Sequence, residues 1–228
     1  MKKLALMMAQ RKRTVRRLAV SILALAATGS LNGLASPPPR AFSQVNAGDF
    51  AQGNPQTAGQ SPAQHYFTDT VLLDQNGRQV RFYSDLLQGK VVIINSFFAT
   101  CQGSCLPMNR NLEKVQQALG DRLGKEVYIL SISVDPTVDT PPRLKEYAKK
   151  LNARAGWYFL TGDKQNVDLV LTKLGQFVED KQDHLNIFII GNERTGLWKK
   201  AFGLAPSEQL VTVVESVLKD KPAANNSP

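Results

Sequence analysis

The chain has 228 residues, 43% hydrophobic and 21% charged, a composition typical of a globular protein with one sizeable domain. Its net charge of +9 comes mostly from residues 1–43, which hold eight Lys and Arg and no acid. The 20 basic and 19 acidic residues of 44–228 nearly cancel. The charge therefore indicates a targeting segment and argues against a nucleic-acid partner.

Residues 1–35 have the form of an export signal. A basic stretch reaching Arg17 precedes an apolar stretch from Leu18 to about Ala35, and the small residues Gly33 and Ala35 would permit cleavage after Ala35. An uncleaved signal anchor is equally open, because the apolar stretch is near the minimum length that spans a bilayer. With either outcome we expect the rest of the chain in an oxidising compartment. In a bacterium that is the periplasm or the periplasmic face of the inner membrane.

Two segments of the chain have few large apolar residues and are not expected to fold. Residues 36–65 are rich in Pro, Gly, Gln, Ala, Asn and Ser, which predicts a flexible linker. Residues 220–228 predict a disordered tail. One folded domain, 66–219, lies between them.

The domain opens with a predicted hairpin and continues with alternating strands and helices. Asn76-Gly77 is a hairpin turn signal between strands 71–73 and 79–82, and Ser84-Asp85 predicts a short turn. Further strands are predicted at 91–98, 127–134, 157–160, 185–190 and 197–202, and helices at 101–119, 141–152, 164–174 and 207–218. This order predicts an α/β sandwich with an N-terminal hairpin and a central mixed sheet flanked by helices.

Two cysteines, Cys101 and Cys105, lie where strand 91–98 meets the next helix. A helix start lowers the pKa of a thiol and favours the thiolate, which attacks disulfides and binds metals. Helical positions four apart place Cβ atoms about 5–6 Å apart, so a disulfide would need only a modest adjustment. A metal would need a third ligand beside the two sulfurs.

The chain has two histidines that could complete such a site. His65 lies in the predicted linker, where we interpret it as an exposed polar residue. His184 precedes strand 185–190, and its distance in sequence does not show whether it meets the cysteines. We interpret Asp135 as a turn residue, and Asp139 or Thr140 as the cap of the next helix, and not as a catalytic carboxylate pair.

Three segments resemble the Sco/SenC family of copper proteins that assist cytochrome c oxidase assembly. Phe97–Cys105 is similar to the family's Cys-x-x-x-Cys element. Ser133–Pro141, with Leu144, Tyr147 and Ala148 after it, is similar to the family's Ser-[Val/Ile]-Asp-Pro-x-x-Asp-Thr-Pro-x-x-Leu-x-x-Tyr-Ala. Trp157–Gly162 is followed by Asp183-His184, where the family has its copper-binding histidine. Together the matches span about 91–202.

The resemblance implies a thioredoxin-like fold in which Cys101, Cys105 and His184 bind copper, as Cu(I), Cu(II) or both. The two cysteines would also be a redox pair that forms a disulfide when oxidised. The implied function is an exported copper chaperone that delivers copper to, or maintains the thiols of, the oxidase copper site. Its partner would be the oxidase subunit with that site or another copper carrier. Membrane association would come only through a possible N-terminal anchor.

The chain departs from the family pattern around its cysteines. The family commonly has Pro after each cysteine, whereas Gln102 and Leu106 stand at those places here. The change keeps open a thiol–disulfide oxidoreductase, or a peroxide-reducing thioredoxin-like enzyme, that uses Cys101 and Cys105, with Cys101 as the expected nucleophile. A third hypothesis is that Cys101 and Cys105 form a structural disulfide in a protein-interaction domain.

Overall fold

The computed structural model describes residues 62–221, which lie within one compact unit, Asn54–Pro228. The predicted signal or anchor, most of the predicted linker and residues 222–228 of the predicted tail lie outside the described residues. Within residues 62–221, no helix is both long and apolar enough to cross a membrane.

The described residues form seven strands and five α-helices. The strands are β1 Val71–Leu73, β2 Gln79–Arg81, β3 Val91–Phe97, β4 Val127–Ser133, β5 Trp157–Leu160, β6 Ile187–Asn192 and β7 Leu197–Phe202. The helices are α1 Pro62–Phe67, α2 Cys105–Leu119, α3 Pro141–Lys150, α4 Lys164–Lys173 and α5 Ser207–Leu218. A π-helical turn covers Phe82–Leu87, and 3-10 turns cover Gly120–Arg122 and Lys181–Asp183.

Five strands form the central sheet, in the order β5-β4-β3-β6-β7. β4 runs parallel to both β3 and β5, whereas β6 is antiparallel to β3 and to β7. The prediction of a mixed sheet flanked by helices is therefore confirmed. β1 and β2 form the separate N-terminal hairpin.

β3 is the central strand, and all seven of its residues are buried. Its side chains alternate between two apolar cores because successive residues of a strand point to opposite faces. Val91 and Ile93 belong to the core that α2, α3 and α5 cover, and Val92 and Ile94 belong to the core that α4 and the π-helical turn cover. Near-continuous apolar sequence is expected of a strand covered on both faces.

The hairpin turn is organised by a buried carboxylate. Asp74 accepts hydrogen bonds from the backbone N–H groups of Asn76 and Arg78 and from the Arg78 guanidinium, at 2.8, 3.0 and 2.8 Å. Gly77 follows with φ 77°, a conformation that suits glycine. The predicted second strand is one residue too long, because Phe82 begins the buried π-helical turn.

Other elements begin at different residues from those predicted. α2 begins at Cys105 and not near Cys101, since Gln102-Gly103-Ser104 forms a bend before the helix. β6 covers Ile187–Asn192, so it begins and ends two residues later than predicted. α1 covers Pro62–Phe67, so regular structure begins within the segment predicted as linker.

Candidate metal centre

The structure brings together the three side chains that the sequence singled out. The sulfurs of Cys101 and Cys105 and a ring nitrogen of His184 all lie within 4.8 Å of one another. The Sγ atom of Cys105 is 2.9 Å from Nε2 of His184. Cys105 and His184 are buried, while Cys101 is partly exposed and gives the cluster its opening to solvent. Both cysteines are free thiols.

The two cysteines occupy different local structures. Cys105 is the first residue of α2, whereas Cys101 lies in the turn that follows β3, where its N–H donates to the Phe98 carbonyl at 3.2 Å. The backbone N–H of Gly103 lies 3.4 Å from the Cys101 sulfur. The prediction that both cysteines lie on one helix is wrong, because the bend before α2 directs the sulfur of Cys101 back toward the helix start.

Burial changes the proton affinity of the Cys105 thiol. It raises the pKa of this thiol above its usual value, and the neighbouring Cys101 side chain raises it further. This shift opposes the thiolate that a helix start favours, because desolvation disfavours a charged sulfur. A metal ion bound here would have to displace the proton of Cys105.

His184 follows the 3-10 turn Lys181–Asp183 and lies against Phe98, with the two rings edge to face and their centroids 5.5 Å apart. Burial lowers the pKa of His184, and backbone groups of Gln182 and Lys181 oppose this effect. The neutral ring that results is the form that binds metals.

The donor atoms fit a soft metal ion. Two sulfurs and one imidazole nitrogen suit copper, because thiolates select Cu(I) and imidazole binds copper in either oxidation state. Among the described residues, these three form the one group of three or more Cys, His, Asp or Glu side chains that is close enough to hold a metal. His65 is exposed on α1 and lies outside this group, as the sequence interpretation held.

Asp139 supports the cysteine segment, a role that the sequence interpretation missed. Its buried carboxylate accepts hydrogen bonds from Ala99 N–H at 2.9 Å and from the Ser133 hydroxyl at 2.7 Å. Thr140 is the N-cap residue of α3, one of the two residues predicted for that position, although no side chain caps the helix with a hydrogen bond. Burial raises the pKa of Asp139. The carboxylate thus joins the end of β4 to the residues just before Cys101.

A buried chain of hydrogen bonds lies beneath Cys105 and was also missed. Asn109, one helical turn after Cys105, donates to the Tyr147 hydroxyl at 3.1 Å and accepts from Asn95 at 3.0 Å. Ser131 donates to Asn95 at 2.7 Å and accepts from the indole of Trp157 at 3.0 Å. The network fixes α2 against β3 and α3. The sequence indicates this network only through the position of Asn109, which lies four residues, about one helical turn, after Cys105.

A family model described as SCO1/SenC matches residues 57–218 of the chain. An SCO1 protein homolog of Bacillus subtilis is 34% identical over 94 residues, which are 41% of this chain and 47% of the relative. An SCO2-like protein of Rickettsia felis is 31% identical over 109 residues, 48% of this chain and 51% of that protein. The chain thus spans about half the length of the curated relatives it matches.

Solved structures of Sco proteins resemble this chain as well. Yeast Sco1 with copper bound has a TM-score of 0.57 and 25% identity, over 69% of this chain and 95% of that chain. BsSco, described as a member of the Sco family of cytochrome c oxidase assembly proteins with a disulfide switch, has a TM-score of 0.56 and 25% identity, over 68% and 94% of the two chains. The predicted thioredoxin-like fold is confirmed, and the chain belongs to the SCO1/SenC family.

Proposed function

We propose that this protein binds a copper ion through Cys101, Cys105 and His184 and delivers it to the copper site of cytochrome c oxidase during assembly. The observation that carries the proposal is the position of the three donor atoms, all within 4.8 Å of one another. A copper-bound yeast relative and a cytochrome c oxidase assembly protein among the structural neighbours support the choice of metal and pathway.

The arrangement suits a cargo that must be both held and released. Cys105 and His184 supply a buried sulfur and nitrogen, whereas Cys101 is partly exposed and reachable by an incoming ligand. A partner can therefore replace the outer sulfur first, while the inner two donors still hold the ion. The partner would be the oxidase subunit with the copper site or another copper carrier. The export-like residues 1–35 support a place of action in the periplasm, either free or at the inner membrane.

Copper titration of the fragment Asn54–Pro228 tests the site. Under reducing conditions with a competing Cu(I) chelator, we expect one tightly held ion. His184→Ala and Cys101→Ser should each weaken binding by at least about tenfold, since loss even of outer-shell support costs metal sites about 10–100-fold. His65→Ala is the matched control and should bind as the wild type does. If the wild type binds no tighter than the two ligand variants, the proposed copper site is wrong.

Thiol–disulfide exchange is the second candidate, favoured by the contrast between a partly exposed Cys101 and a buried Cys105. The Cys101 thiolate would attack a partner disulfide and release one partner thiol, forming a mixed disulfide. Cys105 would then attack the Cys101 sulfur, release the second partner thiol and close the intrachain disulfide. This mechanism does not need a metal ligand. His184→Ala should therefore retain disulfide reduction if this is the main activity, and Cys101→Ser should abolish it.

A further inference from the structure

The segment that carries His184 is held to the domain by few contacts. Of the nine residues 177–185, only His184 is buried. Within the part of the chain that the structure describes, this segment makes hydrogen bonds to the rest of the domain through two side chains, Lys181 and His184. Its other hydrogen bonds, such as Gln182 N–H to the Asp180 carboxylate, lie inside the segment. A segment with so few buried contacts opens at low cost.

Lys181 ties this segment to the loop that follows β4. Its ammonium group lies 2.7 Å from Oδ2 of Asp135. The Asp135 side chain is 10% exposed and the Lys181 side chain 38%, so the pair is partly shielded from water. The other carboxylate oxygen of Asp135 accepts a hydrogen bond from Thr137 at 3.2 Å. The hydrogen bond from Thr137 therefore holds the Asp135 carboxylate in place independently of Lys181.

The same ammonium group also meets the aromatic side chain that contacts His184. Nζ of Lys181 lies 5.3 Å from the centroid of the Phe98 ring, within the distance at which a cation is attracted to a ring face. Phe98 in turn lies edge to face against the His184 ring. The ammonium group of Lys181 thus contacts both the loop after β4 and the residue that follows β3. Through these two contacts it joins both regions to the segment that carries His184.

We propose that Lys181 is a positioning residue: its contacts with Asp135 and Phe98 hold the imidazole of His184 over the sulfur of Cys105. When the contacts break, segment 177–185 moves away, Cys105 becomes accessible and only the two sulfurs remain together. As regulation of copper release, this inference rests on the proposed function. As a statement about the position of His184, it needs no copper, and the two parts can be tested separately.

Alkylation of Cys105 tests the position of His184 without any metal. The full chain, reduced and metal-free, is treated with a small thiol-alkylating reagent at fixed pH, and mass spectrometry of fragments assigns the modified cysteine. We expect Lys181→Met and Asp135→Asn each to raise the alkylation rate of Cys105 about two- to fivefold, a range that corresponds to the usual strength of a partly exposed ion pair. Met keeps the apolar stem over Phe98, and Asn can keep the Thr137 contact.

Three further variants separate positioning from a general loss of structure. Lys181→Arg keeps the charge and should react at the wild-type rate. The double variant Lys181→Met/Asp135→Asn should react no faster than the faster single variant, because both remove the same contact. Arg81→Met is the matched control: it breaks the ion pair between Arg81 at the end of β2 and Asp85 in the π-helical turn, and it should leave the alkylation rate of Cys105 unchanged. Wild-type rates in both single variants, or the same increase in the control, would overturn the proposal.

Copper release then tests the regulatory part. With copper loaded under reducing conditions, Lys181→Met should lose the ion to a chelator faster than the wild type by about the same factor, and Lys181→Arg should not. If the wild type binds no copper while alkylation still responds to the Lys181 variants, the proposed function fails and the positioning role stands. If copper binds tightly but alkylation and release are the same in all variants, the positioning role fails alone.

Discussion

At the scale of single residues, burial favours the neutral forms of three groups at the metal centre. It raises the pKa values of Cys105 and Tyr147 and lowers that of His184. Each shift disfavours a charge in a place with little water. Burial thus favours Cys105 and His184 as neutral donors before a cation binds, and the cation itself then supplies the charge that stabilises the Cys105 sulfur as thiolate.

The phenol of Tyr147 offers a direct test of this burial. Burial raises its pKa from the usual 10.0 to about 12, against the opposing hydrogen bond from Asn109. The unfolded chain loses this proton near pH 10, whereas the folded domain keeps it until about pH 12. The contribution of Tyr147 to stability is therefore complete below pH 10 and is lost as the pH rises toward 12.

Unfolding by denaturant at several pH values measures this loss. We expect the free energy of unfolding to fall more steeply between pH 10 and pH 12 in the wild type than in Tyr147→Phe. Lysines and cysteines titrate in both proteins, so only the difference between the two curves is assigned to the phenol. Parallel curves would mean that the hydroxyl is not buried as the structure has it.

At the scale of elements, the contact between two turns aligns the parallel strands β4 and β5. The carbonyl of Gly156, just before β5, accepts a hydrogen bond from Ile129 N–H at 2.9 Å. A Cβ atom on Gly156 would lie 2.4 Å from the backbone nitrogen of Gly124, in the turn before β4, and Gly156 has φ +96°. Only glycine lets these two turns approach so closely.

Gly156→Ala should therefore destabilise the domain more than an ordinary glycine replacement does. The matched control is Gly77→Ala in the hairpin turn, where φ is also positive but no atom lies within 4 Å of the added Cβ. The control should cost about 1–2 kcal/mol of backbone strain. Gly156→Ala should cost at least about 2 kcal/mol more, because backbone must also move. Equal midpoints in a denaturant titration would contradict the close approach.

At the scale of the whole molecule, the first helix belongs to the folded domain although its sequence resembles a linker. Phe67 of α1 packs against Trp198 and Phe82, with ring centroids 5.5 and 6.1 Å apart. The Tyr66 hydroxyl donates to the carbonyl of Lys173 at the end of α4. These contacts place the start of the domain against the face of the sheet that α4 covers.

Truncation measures how much this helix contributes. A fragment that begins at Asn54 should unfold in one cooperative transition, whereas one that begins at Asp69 should be less stable by about 1–3 kcal/mol, the value of two aromatic contacts. Thermal or denaturant unfolding of both fragments gives the difference. Equal stability would show that α1 adds nothing to the domain.

Local patterns predicted the elements well because hydrophobic periodicity and turn residues act over short distances. The strand Trp157–Leu160 and the helix Ser207–Leu218 have the predicted bounds. Errors fell at the ends of elements: β6 begins at Ile187, two residues later than predicted, and α2 begins only after the bend at Gln102–Ser104. Hydrophobic periodicity locates an element better than it locates its ends.

The sequence by itself determined the fold class, the family resemblance and the three candidate ligands, since motif residues and strand–helix alternation can be read along the chain. Only the tertiary structure decided that His184 lies 2.9 Å from a sulfur 79 residues earlier. It also decided that the Asp139 carboxylate binds the backbone just before Cys101, that Lys181 pairs with Asp135, and that burial raises the pKa of the Cys105 thiol. Each of these depends on which segments the sheet brings side by side and on how much water the packing excludes, and neither is a property of local sequence.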